Sequence, residues 1–227
     1  MPLVIGLFIV AVIGILIYNS YATRRRREEL AAWATRNGLR FSETKVYDLD
    51  SRYAEFKCLR EGDNRYGYNV MEGEFGKRRA YAFDYHYETH STDAKGRRQT
   101  HHHHFSAAII YSPVPLKPLF IRPESFLDKV GEFFGMDDID FESAEFSRRF
   151  FVKAADRKWA FDVLHQRTME FLLSRPQFSI QFGRECVIIY RESTFSAAEF
   201  ESAVETVTGI LDRFPEYLVL QQQATYT

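Results

Sequence analysis

The chain has 227 residues, 45% apolar and 27% charged, an ordinary globular balance with enough length for one domain and a real core. Its formal net charge of −1 excludes the strongly basic profile expected of a nucleic-acid binder. Two cysteines, Cys58 and Cys186, make no disulfide framework and fit a reducing compartment, although a single bridge between them stays open.

The first element is the run MPLVIGLFIVAVIGILIYNSYATRRRREEL. Residues 1–18 carry no charged side chain. As a helix they rise about 27 Å, close to the ~30 Å of a bilayer's hydrocarbon core. Tyr18 and Tyr21 fall where an interfacial aromatic belt would lie, and Arg24, Arg25, Arg26 and Arg27 end the run. A cleaved signal peptide would explain the short apolar stretch and the small-x-small Ser20-Tyr21-Ala22. It should also open with basic residues and not be followed by four arginines, so a retained anchor over residues 1–23 is expected. The arginines place the N-terminus outside and the rest of the chain in the cytoplasm, as a single-pass membrane protein. They form a membrane-interface collar that can also meet anionic headgroups. No strict GxxxG pattern occurs in the run.

Residues 24–40 read as a juxtamembrane helix with Leu30, Ala31, Trp33 and Ala34 on one stripe and Gly38 as the stop, so the anchor can enter the domain as one rod. A soluble domain is expected over residues 41–220. REGDNR at 60–65 is a turn, and YGYNVMEGEF at 66–75 alternates as a strand. Residues 79–90 give the cleanest strand. Tyr81, Phe83, Tyr85 and Tyr87 share one face, and Ala82, Asp84, His86 and Glu88 the other. STDAKG turns the chain, and residues 99–111 return as a third strand, completing a β-meander. Four prolines in YSPVPLKPLFIRPE suit a connector with a short edge strand at 119–122. Ser125 opens a short capped helix to Gly135. DIDFE and residues 150–153 read as strands, and Asp156 caps a helix carrying Trp159, Val163, Leu164, Met169 and Leu172. Residues 178–182 and 186–191 form a second hairpin. Ser196 and Glu199 make a capping box for a helix with Phe200, Ala203, Val204, Val207, Ile210, Leu211 and Phe214 at helical spacing. Residues 221–227 read as a frayed tail. Strands and helices mix without βαβ alternation, so the expected class is α+β, a mainly antiparallel sheet packed with two or three helices.

Chemistry concentrates in QTHHHHFSAAII, residues 99–110. On a strand His101 and His103 share one face, and His102 and His104 the other. Whatever the register, one pair shares a face with Asp84 and His86. Imidazoles plus a carboxylate suit zinc, and Asp84, His86, His101 and His103 are the candidate metal ligands. The plainer alternative is a solvated His-rich surface beside KGRR. A pH-responsive cluster is a third reading. The acidic run Asp137, Asp138, Asp140, Glu142 and Glu145 lacks the EF-hand glycine and terminal glutamate, and so reads as an acidic strand face. No P-loop, GxGxxG, HExxH or GxSxG occurs, so no catalytic or cofactor-binding residue is assigned.

The stretches PLKPLFIRPE, DIDFESAEFSRRFFV and DRKWAFDVL…TMEFLL resemble a loosely defined group of bacterial single-pass membrane proteins of unknown function. That resemblance implies an anchored α+β domain and carries no activity. The expected function is therefore a membrane-anchored cytoplasmic domain that binds a protein or lipid partner. A His-cluster metal hydrolase or sensor is the alternative.

Overall fold

The alternation in residues 63–111 produces three long strands: β2 (Asp63–Phe75), β3 (Arg78–Thr92) and β4 (Arg98–Tyr111), paired antiparallel as the expected meander. The computed structural model describes residues 2–124 and 136–224, with side chains from residue 12 onward. The short strand β1 (Leu39–Ser42) adds to β2. On the other side, the hairpin β8 (Ser179–Phe182) and β9 (Cys186–Arg191) pairs with β4 through β9. Three more strands continue the sheet: β5 (Leu119–Pro123), β7 (Phe150–Ala154) and β6 (Asp137–Asp138). The order among the described residues is β1-β2-β3-β4-β9-β8-β5-β7-β6, and every neighbouring pair is antiparallel.

Two cores follow from the two faces of the sheet. On one face pack the helices α1 (Pro2–Arg36) and α6 (Ala197–Leu211). Leu30, Trp33 and Ala34 of α1 and Phe200, Ala203, Val204, Val207 and Ile210 of α6 are buried there over Ala80, Ala82, Ala108 and Ile110. The small strand residues let the helices approach closely, and Trp33 stacks between Phe75 and Phe200. The opposite face carries the rings Tyr81, Phe83, Tyr85 and Tyr87, covered by a layer containing α2 (Leu49–Arg52) and a 3₁₀ turn (Lys57–Leu59). The capping box at Ser196–Glu199 starts α6 as expected, since the Ser196 hydroxyl accepts from the Glu199 amide and the Glu199 carboxylate accepts from the Ser196 amide.

Several expectations are corrected. Seven helices rather than two or three occur among the described residues. The others are α3 (Ala144–Arg149), α4 (Arg157–Val163), α5 (Gln166–Leu173) and α7 (Glu216–Ala224). The helix capped by Asp156 breaks at Leu164 into α4 and α5. β5 is no edge strand: it is buried between β8 and β7, because Pro118 and Pro123 lie at its limits and leave the amides between them free to pair. The DIDFE strand shrinks to Asp137–Asp138, with Ile139 and Phe141 turned into the core. Residues 24–36 are helical as the last part of α1, with Leu30, Trp33 and Ala34 buried against the sheet, and β1 begins at Leu39. Part of the tail at 221–227 is the end of α7, with Gln222 buried. The capped helix expected at 125–135 lies outside the described residues. The anchor expected over residues 1–23 rests on side chains of which the first eleven also lie outside. Among the described residues no helix is long and apolar enough to cross a membrane.

Candidate functional site

Two polar sites share the helix-covered face of β2, β3 and β4, and β2 builds both. In two places β2 carries one more residue than β3, between Asp63 and Tyr66 and between Tyr68 and Met71. Each bulge holds an asparagine in the left-handed region, Asn64 at φ 48° and Asn69 at φ 49°. Asparagine tolerates that conformation better than most side chains. Each side chain then serves one site. Across the three strands the face reads as rungs: Tyr68–Asp84–Ser106, then Tyr66–His86–His104, then Asp63–Glu88–His102. Successive rungs are about 7 Å apart.

The first rung fastens α1. Asp84 is fully buried. Its carboxylate accepts from Arg26 Nη1 at 2.7 Å, Arg26 Nη2 at 2.8 Å, Asn69 Nδ2 at 2.8 Å and the Ser106 hydroxyl. Arg26 also donates through Nε and Nη2 to the Phe195 carbonyl, at 3.0 and 2.6 Å. Burial alone would lower the Arg26 pKa. The hydrogen bond and charge of Asp84 outweigh it and hold the guanidinium above its ordinary value. The arginine collar is therefore divided. Arg26 locks α1 to the sheet and Arg27 pairs with Glu43 at 2.7 Å. Arg24 and Arg25 remain exposed, each bonded to a glutamate one turn on, Glu28 and Glu29. A helix turns about 100° per residue, so four consecutive arginines cannot all face one surface.

The contacts also set a direction. Passing from Arg26 at Asp84 toward the C-terminal end of α1 leads to β1, whose Leu39 pairs with Gly73, the partner of Ala80. The N-terminal half of α1 and the β3–β4 hairpin therefore leave the sheet at the same end. β9 pairs only with Ser106–Tyr111 of β4, so the hairpin beyond Phe105 projects past it.

The histidines lie on that projecting arm. His86 pairs with His104 and Glu88 with His102, which puts His102 and His104 on the face of Asp84 and His86. His101 and His103 point to the opposite face, where His103 stacks on Tyr87 at 4.6 Å. They bond to Ser91 and Thr89 respectively. The four-residue set Asp84, His86, His101 and His103 is thus not assembled. The register splits it, and Asp84 is committed to Arg26, Asn69 and Ser106. What comes together instead is His86, Glu88 and His102, whose ligand atoms all lie within 4.8 Å of one another. His86 Nε2 is 3.1 Å from His102 Nδ1, and Glu88 Oε1 is 3.3 Å from His102 Nδ1 and 3.9 Å from His86 Nε2.

Asn64 supports this group, and sequence reasoning missed it. Its carbonyl lies 3.1 Å from His86 Nδ1, and its Nδ2 donates to Glu88 Oε1 at 2.7 Å. A carbonyl can only accept, so His86 Nδ1 carries a proton and Nε2 is the ring nitrogen that faces the cluster. Glu88 is held below the usual carboxylate range, first by the Asn64 hydrogen bond and then by the neighbouring imidazoles. Tyr66 stacks on His86 at 4.5 Å. Gly62 packs its backbone against Glu88: at φ 59°, an added Cβ would fall 2.1 Å from the Glu88 carbonyl oxygen. The available signal was an asparagine interrupting a strand pattern, twice, in DNRYGYNV.

With this geometry in hand, comparison with known proteins yields a likeness of fold. The mycobacterial trehalose monomycolate transport factor A, TtfA, is similar in structure. The TM-score is 0.63 at 12% sequence identity, and the match covers 83% of this chain and 94% of that one. No family model matches the chain, and no curated protein matches it. The group suggested by the sequence stretches quoted above therefore gains no family match. Both cysteines are buried thiols with no disulfide between them.

Proposed function

We propose that the chain is a membrane-tethered, non-catalytic platform, held by α1 at the cytoplasmic face of a membrane, where it binds a protein or lipid partner. One observation carries this reading. The apolar side chains Ile15, Leu16, Ile17 and Tyr18 are consecutive and all more than half exposed. Four consecutive helical positions cover nearly the whole circumference, so no single packing face explains them. Hydrocarbon surrounding the helix does. The residues before them extend the same apolar run in sequence. Arg24 and Arg25 sit at the level of the headgroups and favour the cytoplasmic side. The Arg26–Asp84 lock then holds the sheet in a fixed orientation to the span. The likeness to a protein named as a transport factor favours an accessory role in membrane transport as the form of partner binding. Fold alone carries no activity.

Fractionation tests the reading. The full chain should sediment with membranes and resist alkaline carbonate. A cysteine added at the C-terminus should be labelled by an impermeant maleimide only after the cells are broken. Release into the soluble fraction by carbonate, or labelling on intact cells, would overturn it.

A further inference from the structure

We propose that His86 Nε2, His102 Nδ1 and Glu88 Oε1 form a binding site for one divalent ion of the zinc class, with a fourth position open to solvent. Zinc bonds nitrogen and carboxylate oxygen at about 2.0–2.1 Å in a tetrahedron, which places neighbouring ligand atoms about 3.3–3.4 Å apart. The three separations here, 3.1, 3.3 and 3.9 Å, bracket that edge. A small rotation of the Glu88 carboxylate closes the longest. Two imidazoles and one carboxylate are a borderline donor set, suited to zinc and poorly suited to calcium or magnesium.

The supporting residues argue as strongly as the ligands. In zinc sites the ring nitrogen away from the metal commonly donates to a carbonyl or carboxylate, which fixes the tautomer and aims the lone pair. His86 meets that condition through the Asn64 carbonyl. Ligating carboxylates are in turn hydrogen-bonded, and Glu88 meets that condition through the Asn64 amide. One bulged, left-handed residue thus holds two ligands. A merely solvated histidine strand has no use for such a device. His101 and His103 show the contrast: each bonds to a single hydroxyl on the other face. Burial fits an open site, since His86 is buried while the His102 side chain is 59% exposed. Bound zinc would join β3 to β4 on the stretch that β9 leaves uncovered.

The test uses full-length protein in detergent, purified without a tag or a nickel column. Zinc is measured by elemental analysis, affinity by competition with a chromophoric zinc chelator, and geometry by the visible spectrum of the cobalt-substituted form. One zinc per chain and a tetrahedral cobalt spectrum are expected. His102→Ala and Glu88→Gln should each weaken binding on the order of a hundredfold, and Asn64→Gly on the order of tenfold. The double variant His101→Ala/His103→Ala should bind like the parent. His102 is exposed, so its variant keeps the fold, as circular dichroism would verify. Three results would each overturn the assignment: sub-stoichiometric zinc in the parent, unchanged affinity in His102→Ala, or an equal loss in the His101/His103 control. The last would identify adventitious binding by exposed imidazoles.

Discussion

Arg26→Ala is the substitution that most directly probes how α1 is mounted. It leaves the fully buried Asp84 carboxylate without its cation. Removing one partner of a buried ion pair costs about 3–5 kcal/mol, because the remaining charge stays desolvated. Here the lower end applies. The Arg26 side chain is 27% exposed, so water can enter the space it leaves. Asn69 and Ser106 also continue to donate to the carboxylate. The Phe195 carbonyl loses its two bonds from Arg26 but can be rehydrated from the same opening. We expect a loss of about 3 kcal/mol, or roughly 6–12 °C in Tm for a domain of this size. Arg24→Ala removes an exposed pair two residues away on the same helix and should cost no more than about 0.5 kcal/mol. Urea unfolding followed by tryptophan fluorescence measures both, since Trp33 and Trp159 are buried and report the core. If Arg26→Ala fell within about 1 kcal/mol of the parent, or matched Arg24→Ala, the desolvation reasoning would be refuted.

Two further outcomes follow from the titrating groups. Burial alone would raise the Glu199 pKa, but hydrogen bonds from Arg191 and Ser196 outweigh it and hold the group below its ordinary value of 4.5. A folded pKa below the unfolded one contributes stability that is present above pH 4.5 and lost as pH falls through the depressed value. The stability gap between the parent and Glu199→Gln should therefore be flat near neutrality and narrow below pH 4.5; a gap that widens in acid would contradict the sign. Burial, reinforced by the Glu55 and Glu185 carboxylates, pushes the Cys186 thiol up to about 12. Neither Cys186 nor the buried Cys58 should react with a thiol-specific disulfide reagent in the folded chain, and both should react in urea; rapid labelling of the native protein would show that this core opens.

Local chemistry was legible in the sequence, and long-range pairing was not. The meander, the second hairpin and the Ser196 capping box follow from alternation and side-chain caps, which act within a few residues. The place of β5 was hidden because proline density argues for an edge unless the prolines fall at the strand limits, as Pro118 and Pro123 do. The partner of Arg26 lies 58 residues away, beyond the reach of any spacing rule. The face of the histidines was fixed by the hairpin turn. Thr92 pairs with Arg98 around a loop in which Gly96 takes φ 78°. One residue more or fewer in that loop would have turned His101 and His103 toward His86. Asn64 was readable only as an interruption, since its role needs the strand it bulges against.

Helix α1 carries no proline after Pro2 and no glycine between Gly14 and its end at Arg36. Between the exposed residues Ile15–Tyr18 and the clamp at Asp84 it therefore has neither a proline nor a glycine at which to kink. The stretch from Val12 to Arg26 is a lever arm about 21 Å long. A partner that tilted the outer half by 10° would shift one end of it relative to the other by about 4 Å. Through the Arg26–Asp84 contact that motion would reach β3. Inserting two glycines between Tyr21 and Arg24 would uncouple them.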